Sequence, residues 1–183
     1  MLQNNMAGKQ REKQIPAVTE TKADSKVHST TTIMKITSDA FAANQSIPSV
    51  YTCDGSNISP VLEFTDVPSE AKSLVMLMDD PDVPKHLKPD GVFDHWVMYD
   101  IDPGTTVVPE DKFAGILGNN GANKLGYTGP CPPDREHRYF FKLYALDVKL
   151  GLPEGKTKSE ILHLIEGHVI AEAELIGRYD RKK

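Results

Sequence analysis

The 183-residue sequence lacks several features that would assign it to a common class of protein. Its net charge of −5 gives it no basic excess, and a general nucleic-acid-binding protein needs a basic surface. No apolar run approaches the ~20 residues of a membrane-spanning helix. The first residues contain no apolar stretch of the ~7–15 residues that a signal peptide needs. We therefore expect a cytoplasmic protein without nucleic-acid or integral membrane contacts.

Cysteine is equally scarce, with one residue at position 53 and one at position 131. No CxxC pair is present, which argues against a structural zinc site, so no metal and no cofactor is predicted. Both cysteines lie in loop-like stretches, where a disulfide is one alternative. Because no export signal is visible, free thiols at Cys53 and Cys131 are the preferred prediction.

The composition, 39% hydrophobic and 26% charged, fits one globular domain of about 150 residues plus a tail. Residues 1–32 are rich in Lys, Gln, Thr, Ser and Ala and poor in aromatic side chains. Such a segment buries too little apolar surface to offset its ordering entropy. The sequence thus predicts a disordered tail over 1–32 and a folded domain over 33–183.

Most of the predicted elements are strands. The wholly apolar run Leu74–Met78 is typical of a strand buried on both faces, and residues 137–147 alternate with period two. In that second strand we expect Tyr139, Phe141, Leu143 and Ala145 to share one face. Further strands are predicted over 41–51, over 61–64 and over 93–101, the last with His95, Val97, Tyr99 and Ile101 on one face.

One helix is predicted near the C-terminus. Residues 157–160 (TKSE) have the form of a capping box, and Gly167 suits a C-terminal cap. Residues 169–179 then alternate as a final strand with one exposed face. The predicted fold is therefore mainly β: an antiparallel β-sandwich with one or two short helices.

Three polar residues fall at predicted strand ends. Asp80 follows the buried strand, His95 lies near the start of the next strand, and His137 begins another. Antiparallel pairing would bring these ends to one rim, where loops commonly carry binding groups. Two imidazoles, a carboxylate and backbone N–H groups near Gly129 suit a small anion such as phosphate. Tyr139 shares the strand face of His137 and could add a hydroxyl.

Two other functions stay open at this point. The histidines and aspartates could instead perform acid–base hydrolysis, although no nucleophile elbow and no HExxH spacing is present. Alternatively, the protein could act on a partner through its surface. The larger aromatic residues Trp96 and Phe141 are expected in the core rather than against a ligand.

At these residues the sequence resembles the phosphatidylethanolamine-binding protein family, also called Raf kinase inhibitor proteins, and most of all its bacterial and archaeal branch. The resemblance runs from about residue 33 to residue 181. The motifs that carry it are DPDVP at 80–84, HW at 95–96, GP at 129–130, HRY at 137–139, YTCDG at 51–55 and NISP at 57–60.

The resemblance implies a β-sandwich with a small anion pocket at one rim, in a non-enzymatic binding protein. Such pockets accept phosphate, acetate or phosphoryl-ethanolamine head groups, and some family members inhibit kinases or proteases. The resemblance also implies a cis peptide bond between Val83 and Pro84, and homodimers are common among prokaryotic relatives. The site residues expected on this basis are Asp80, Asp82, Pro84, Phe93, His95, Gly129, Pro130, His137 and Tyr139.

Overall fold

A computed structural model describes residues 33–181 and shows two antiparallel sheets with one α-helix. The tail predicted over 1–32 lies outside these residues. The elements are β1 Lys35–Thr37, β2 Leu62–Thr65, β3 Ser73–Asp80, β4 Phe93–Ile101, β5 Val107–Val108, β6 Ile116–Leu117, β7 His137–Leu146, α1 Lys158–Leu164 and β8 Val169–Tyr179. The sheet orders are β1-β2-β5 and β6-β4-β3-β7-β8. The predicted mainly β sandwich with a helix near the C-terminus is confirmed.

The strand β3 is the centre of the structure and is buried on both faces, as its apolar run predicts. Leu74, Met76 and Met78 pack into the core between the two sheets. Val75 and Leu77 alternate with them and pack on the other side, in a second cluster that includes Ile161 and Ile165 of the helical segment. Because both faces are covered, the apolar run 74–78 of this strand loses its apolar surface to burial, which stabilises the fold.

The alternation predicted for β7 is also confirmed. Tyr139, Phe141, Leu143 and Ala145 are all fully buried in the core between the sheets. β7 pairs with β3 on one side and with β8 on the other. β7 therefore carries its first residue, His137, to the same rim at which β3 ends.

The face predicted for β4 is wrong in part, because two β-bulges interrupt its pairing with β3. Near its end, Ile101 packs in the core between the sheets, whereas Val97 and Tyr99 face the helix side. The change follows from Asp100, whose φ of 50° marks an extra residue in the strand. At the other bulge, Trp96 pairs with Met78 and Asp94 pairs with Asp79, so His95 is the inserted residue.

The strand predicted over 41–51 is absent from the structure, and that segment is a loop ending in a 3-10 turn, Ser49–Tyr51. The loop runs along the end of β8 instead, where the N–H of Asn44 donates to the carbonyl of Ile176 at 2.7 Å. The N–H of Ile47 donates to the carbonyl of Arg178 in the same way. Within residues 33–181, the outer edge of β8 before these contacts pairs with no other strand.

The cis bond expected at Val83–Pro84 is also wrong, since none of the peptide bonds in the described part of the chain is cis. A proline lowers the preference for trans but does not reverse it. The carbonyl of Pro84 accepts hydrogen bonds from the N–H groups of Leu87 and Lys88, so a compact turn forms with the trans bond.

The structure of residues 33–181 contains no helix with the length and the apolar character that a membrane-spanning helix requires.

The helix α1 begins with the capping box that the sequence predicts. The hydroxyl of Thr157 accepts from the N–H of Glu160, and the Glu160 carboxylate accepts from the N–H of Thr157 at 2.9 Å. Thr157→Ala is expected to lower the free energy of unfolding by about 1 kcal/mol, because the N–H of Glu160 loses its acceptor. Urea denaturation of Thr157→Ala and of Thr157→Ser checks this. If the serine variant, which keeps the hydroxyl, loses as much stability, capping is not the cause.

Candidate functional site

Three strand ends meet at one rim, as the sequence predicts. β3 ends at Asp80, which pairs with Phe93 at the start of β4, and β7 begins beside them at His137. The Nδ1 atom of His137 lies 2.7 Å from Oδ2 of Asp80. A cavity of about 480 Å³ opens at this rim. It is lined by Asp80, Val83, Leu87, Lys88, Phe93, His95, Gly121, Thr128, Gly129, Cys131 and Pro133.

His95 contributes the imidazole in the cavity wall, and the β-bulge in β4 turns it towards the same side as Trp96. Its Nδ1 lies 2.6 Å from the carbonyl oxygen of Thr128. A carbonyl oxygen can only accept, so Nδ1 carries a proton and Nε2 is the remaining nitrogen for a ligand. The ring is almost fully buried, and this burial lowers the pKa of His95 below its usual range. His95 is therefore neutral near pH 7 in the unliganded protein.

His137 does not line the cavity, and both of its ring nitrogens are engaged. Nδ1 faces Asp80, and Nε2 lies 2.9 Å from Oδ1 of Asp134. Ionised carboxylates only accept, so this buried ring needs a proton on each nitrogen or a proton on one of the carboxylates. The hydrogen bond from His137 is the largest cause that holds the pKa of Asp134 below its usual range. We therefore describe the group as an imidazole held between two carboxylates.

Tyr139 lies beside His95, with the two rings edge to face at 5.2 Å between centroids. Its side chain is fully buried, and its hydroxyl donates to no acceptor within residues 33–181. Burial raises the pKa of Tyr139 well above its usual range, so the hydroxyl stays protonated. A buried donor without an acceptor is costly, and such groups commonly find a partner in a ligand or an ordered water.

One wall of the cavity is the loop before β7, and a disulfide ties it to the loop around residue 53. Cys53 and Cys131 are bonded, with 5.4 Å between their Cα atoms, so the prediction of free thiols is wrong. The sequence could not show this because 78 residues separate the two cysteines and only the folded sheets bring their loops together. The N–H of Cys53 also donates to the carbonyl of Pro130 at 3.1 Å.

Gly129 explains why this loop can approach so closely. A Cβ atom at Gly129 would lie 2.4 Å from the carbonyl oxygen of Tyr51, so no larger residue fits without a shift of backbone. The N–H of Gly129 donates to Oδ1 of Asn57 at 2.7 Å. The backbone donor that the sequence suggests for an anion is thus already bonded within the protein.

Of the nine residues expected at the site, Asp80, Phe93, His95 and Gly129 line the cavity. The others, Asp82, Pro84, Pro130, His137 and Tyr139, do not. Asp82 forms two hydrogen bonds with the guanidinium of Arg138, which lower its pKa to about 2. Arg138 is exposed, so this carboxylate belongs to an ion pair outside the cavity.

Sequence reasoning missed Lys88, the lysine in the cavity wall. Its ammonium lies 3.4 Å from Oδ2 of Asp90, and it also donates to the carbonyl of Val92. The only sequence signal is its place in the loop between two site-bearing strands. Leu87, which is 59% exposed, adds an apolar rim beside it.

A cluster of charged side chains lies on the helix side of the strands that form the rim. Asp79 and Asp94 are the chain neighbours of Asp80 and His95, and both accept from the ammonium of Lys158, at 2.8 and 2.7 Å. Because neighbouring residues of a strand point to opposite faces, these carboxylates face α1 while Asp80 faces the cavity. The N-terminus of α1 is therefore bonded to the strand segments that carry the site.

The fold and the rim define a small β-sandwich protein with a cavity at its strand ends. A family model described as phosphatidylethanolamine-binding protein matches residues 37–180, which is most of the chain. The chain belongs to the phosphatidylethanolamine-binding protein family, as its motifs predict.

Relatives occur in both bacteria and archaea. A UPF0098 protein of Chlamydia trachomatis is 47% identical over 149 residues, which cover 81% of this chain and 99% of the relative. A UPF0098 protein of Methanothermobacter thermautotrophicus is 46% identical over 155 residues, with the same two coverages. The predicted likeness to the bacterial and archaeal branch is confirmed.

Two solved structures share the fold. The crystal structure of a phosphatidylethanolamine-binding protein homolog from Chlamydia trachomatis matches with a TM-score of 0.80 and 46% identity, over 82% of this chain and 99% of that one. E. coli YbcL, described as a member of the mammalian family, matches with a TM-score of 0.74 and 26% identity, over 82% of this chain and all of that one.

Proposed function

We propose that this chain is a non-enzymatic binding protein whose cavity takes a small phosphorylated or carboxylated ligand. Membership of a family named for binding supports a binding role. The observation that supports an anion as the ligand is the pair of donors in the cavity wall. His95 offers Nε2, which donates once the ring is protonated, and Lys88 offers an ammonium. Behind His95, buried Tyr139 adds a hydroxyl proton without an acceptor among residues 33–181.

The remaining charges are compatible with an anion. The carboxylate of Asp80 lines the cavity, but one oxygen is paired with Nδ1 of His137 and the other accepts from the N–H of Asp82 at 2.8 Å. Its negative charge is therefore partly offset within the protein. Phe93 and Leu87 add apolar surface to the same cavity, which suits the organic part of a phosphorylated head group.

A hydrolase that uses the His and Asp residues is the alternative. General base catalysis needs an imidazole nitrogen that can take a proton from water. Carboxylates hold both nitrogens of His137, so Nε2 of His95 is the ring nitrogen that could act as this base. Its Nδ1 bonds a backbone carbonyl and not a carboxylate. Phosphate release from a phosphomonoester, lost in the His95→Asn variant, would contradict the binding proposal.

Anion affinity is expected to fall as pH rises. An anion favours the imidazolium form of His95, so binding raises the pKa of that ring and takes up a proton. Affinity is then highest below the pKa of the unliganded ring and falls above it. Burial lowers that pKa, so the fall should begin below the usual value of about 6.5. Calorimetric titration with acetate across this range checks the direction, because a phosphate ester itself gains negative charge near pH 6.

The variant His95→Asn removes Nε2, the nitrogen proposed to bind the ligand, and keeps a donor in the place of Nδ1. An asparagine amide can still donate to the carbonyl of Thr128, but it has no group in the place of Nε2. A hydrogen bond to a charged group contributes about 1.5–3 kcal/mol, so affinity should fall about tenfold or more. His168→Asn is the control, because His168 is exposed and pairs with Asp147. Equal losses in both variants, or an affinity that does not change with pH, would contradict the role of His95.

Action on a partner kinase or protease, and a homodimer, are further proposals that rest on the family resemblance. Inhibition assays against representative kinases and serine proteases test the first. Sedimentation of the purified chain at several concentrations tests the second, and a single species of monomer mass at all of them would contradict it.

A further inference from the structure

The segment of residues 131–136, reading CPPDRE, holds a carboxylate of the chain itself against the buried imidazole of His137. Oδ1 of Asp134 lies 2.9 Å from Nε2 of His137. The other oxygen of this carboxylate lies 2.7 Å from the guanidinium of Arg135. The carboxylate of Asp134 is thus an internal anion at Nε2 of His137, whereas the buried Asp80 holds Nδ1.

The two carboxylates on His137 differ in how firmly they are fixed. The Asp80 side chain is 5% exposed and stands at the end of a central strand. The Asp134 side chain is 42% exposed and lies in a loop. A ligand that displaced the Asp80 carboxylate from the ring would disturb a strand. Displacement of the Asp134 carboxylate requires only that a loop side chain moves.

The segment 131–136 has few ties to the rest of the molecule. It starts at the disulfide through Cys131 and ends at β7. Between them, a guanidinium nitrogen of Arg135 donates to the carbonyl of Asp82 at 3.3 Å, and Glu136 pairs with Arg178. Among the described residues, its backbone makes no hydrogen bond to another backbone group. Cys131 and Pro133 also line the cavity, so Asp134 is next in the chain to the cavity wall.

We propose that Asp134 is an internal competitor of the ligand: its carboxylate occupies Nε2 of His137, and an external anion binds there by displacing it. This inference rests on the proposed anion-binding function and adds a second imidazole, normally covered, to the donors at the cavity. Asp80 stays at Nδ1 during this exchange and one anion replaces another at Nε2, so neither nitrogen of the buried ring loses its partner. Asp134 thereby sets the anion affinity of the site.

The test is titration with inorganic phosphate of the parent and of Asp134→Ala, Asp134→Asn and Glu136→Gln. Glu136 lies in the same segment but pairs with Arg178 at 3.0 Å, so Glu136→Gln removes an equal charge without touching His137. Asp134→Ala should bind phosphate at least tenfold more tightly than the parent, and Glu136→Gln should bind like the parent. Asp134→Asn, which keeps the shape of the side chain, should also gain affinity. Thermal unfolding confirms that each variant is folded.

A second readout follows the ring directly. The ¹⁵N resonances of His137 should shift with phosphate in Asp134→Ala. If phosphate binds the parent through His95 but Asp134→Ala and Glu136→Gln have equal affinities, or Asp134→Ala binds more weakly, the competitor role is overturned while the proposed function stands. If neither the parent nor any Asp134 variant binds phosphate or acetate, the proposed function itself fails.

Discussion

Joint replacement of Cys53 and Cys131 by serine is expected to lower the free energy of unfolding by about 4 kcal/mol. The bond closes a loop across 78 positions of sequence, and its loss returns conformational entropy to the unfolded chain. A chain-entropy model gives about 4.5 kcal/mol for a loop of this size, and native disulfides of small domains contribute about 2–5 kcal/mol. Denaturant unfolding of the parent and the double variant checks this expectation.

Reductant supplies the control for that experiment. The unfolding midpoint of the parent should fall when dithiothreitol is added, whereas that of the double variant should not change. The loops would still be joined in part by the hydrogen bonds of Gly129 to Asn57 and of Cys53 to Pro130, so the variant should fold. A parent that unfolds at the same denaturant concentration with and without reductant would contradict the contribution assigned to the bond.

Asp80→Ala is expected to lower the free energy of unfolding by about 3–5 kcal/mol. Asp80 and His137 are a buried hydrogen-bonded pair, and removal of Asp80 leaves Nδ1 of a fully buried ring without its partner. The N–H of Asp82 would lose its acceptor as well. Urea denaturation measures the loss, with Asp82→Ala as the neighbouring control.

Asp82 is a useful comparison because it also forms an ion pair, but with the exposed Arg138. Because the Arg138 side chain is 46% exposed, water screens this pair, and Asp82→Ala should cost less than Asp80→Ala. The double variant Asp80→Leu with His137→Leu should recover part of the loss, because it removes both members together. Equal losses in the free energy of unfolding for Asp80→Ala and Asp82→Ala would show that the buried pair stabilises the fold no more than the Asp82 pair does.

The parts of the fold that the sequence predicts are those set by local signals. The alternation along β7 and the apolar run of β3 depend on which face of a strand is buried, and the helix start depends on Thr157 and Glu160, three residues apart. The meeting of Asp80, His95 and His137 follows from antiparallel pairing of these strands, so it was predictable as well.

The remaining features depend on contacts between distant segments. The bulge that inserts His95 is a matter of register between β3 and β4, which residue types do not fix. The pairing of Cys53 with Cys131 and of His137 with Asp134 depends on where loops lie once the sheets have formed. The cis bond at Pro84 was expected from the family resemblance and from the tight turn with two prolines, but such a turn also forms with a trans bond.

The open edge of β8 also bears on how neighbouring molecules meet. Val169, Ile170 and residues up to 174 are exposed or half-buried, and edge strands of this kind invite pairing with another chain. A second copy aligned antiparallel about Ala173 would place Glu172 of each molecule opposite Glu174 of the other. Like charges directly opposite are unfavourable in a sheet, so these two glutamates protect the edge against aggregation. We therefore expect their replacement by threonine to make the protein precipitate at lower concentration.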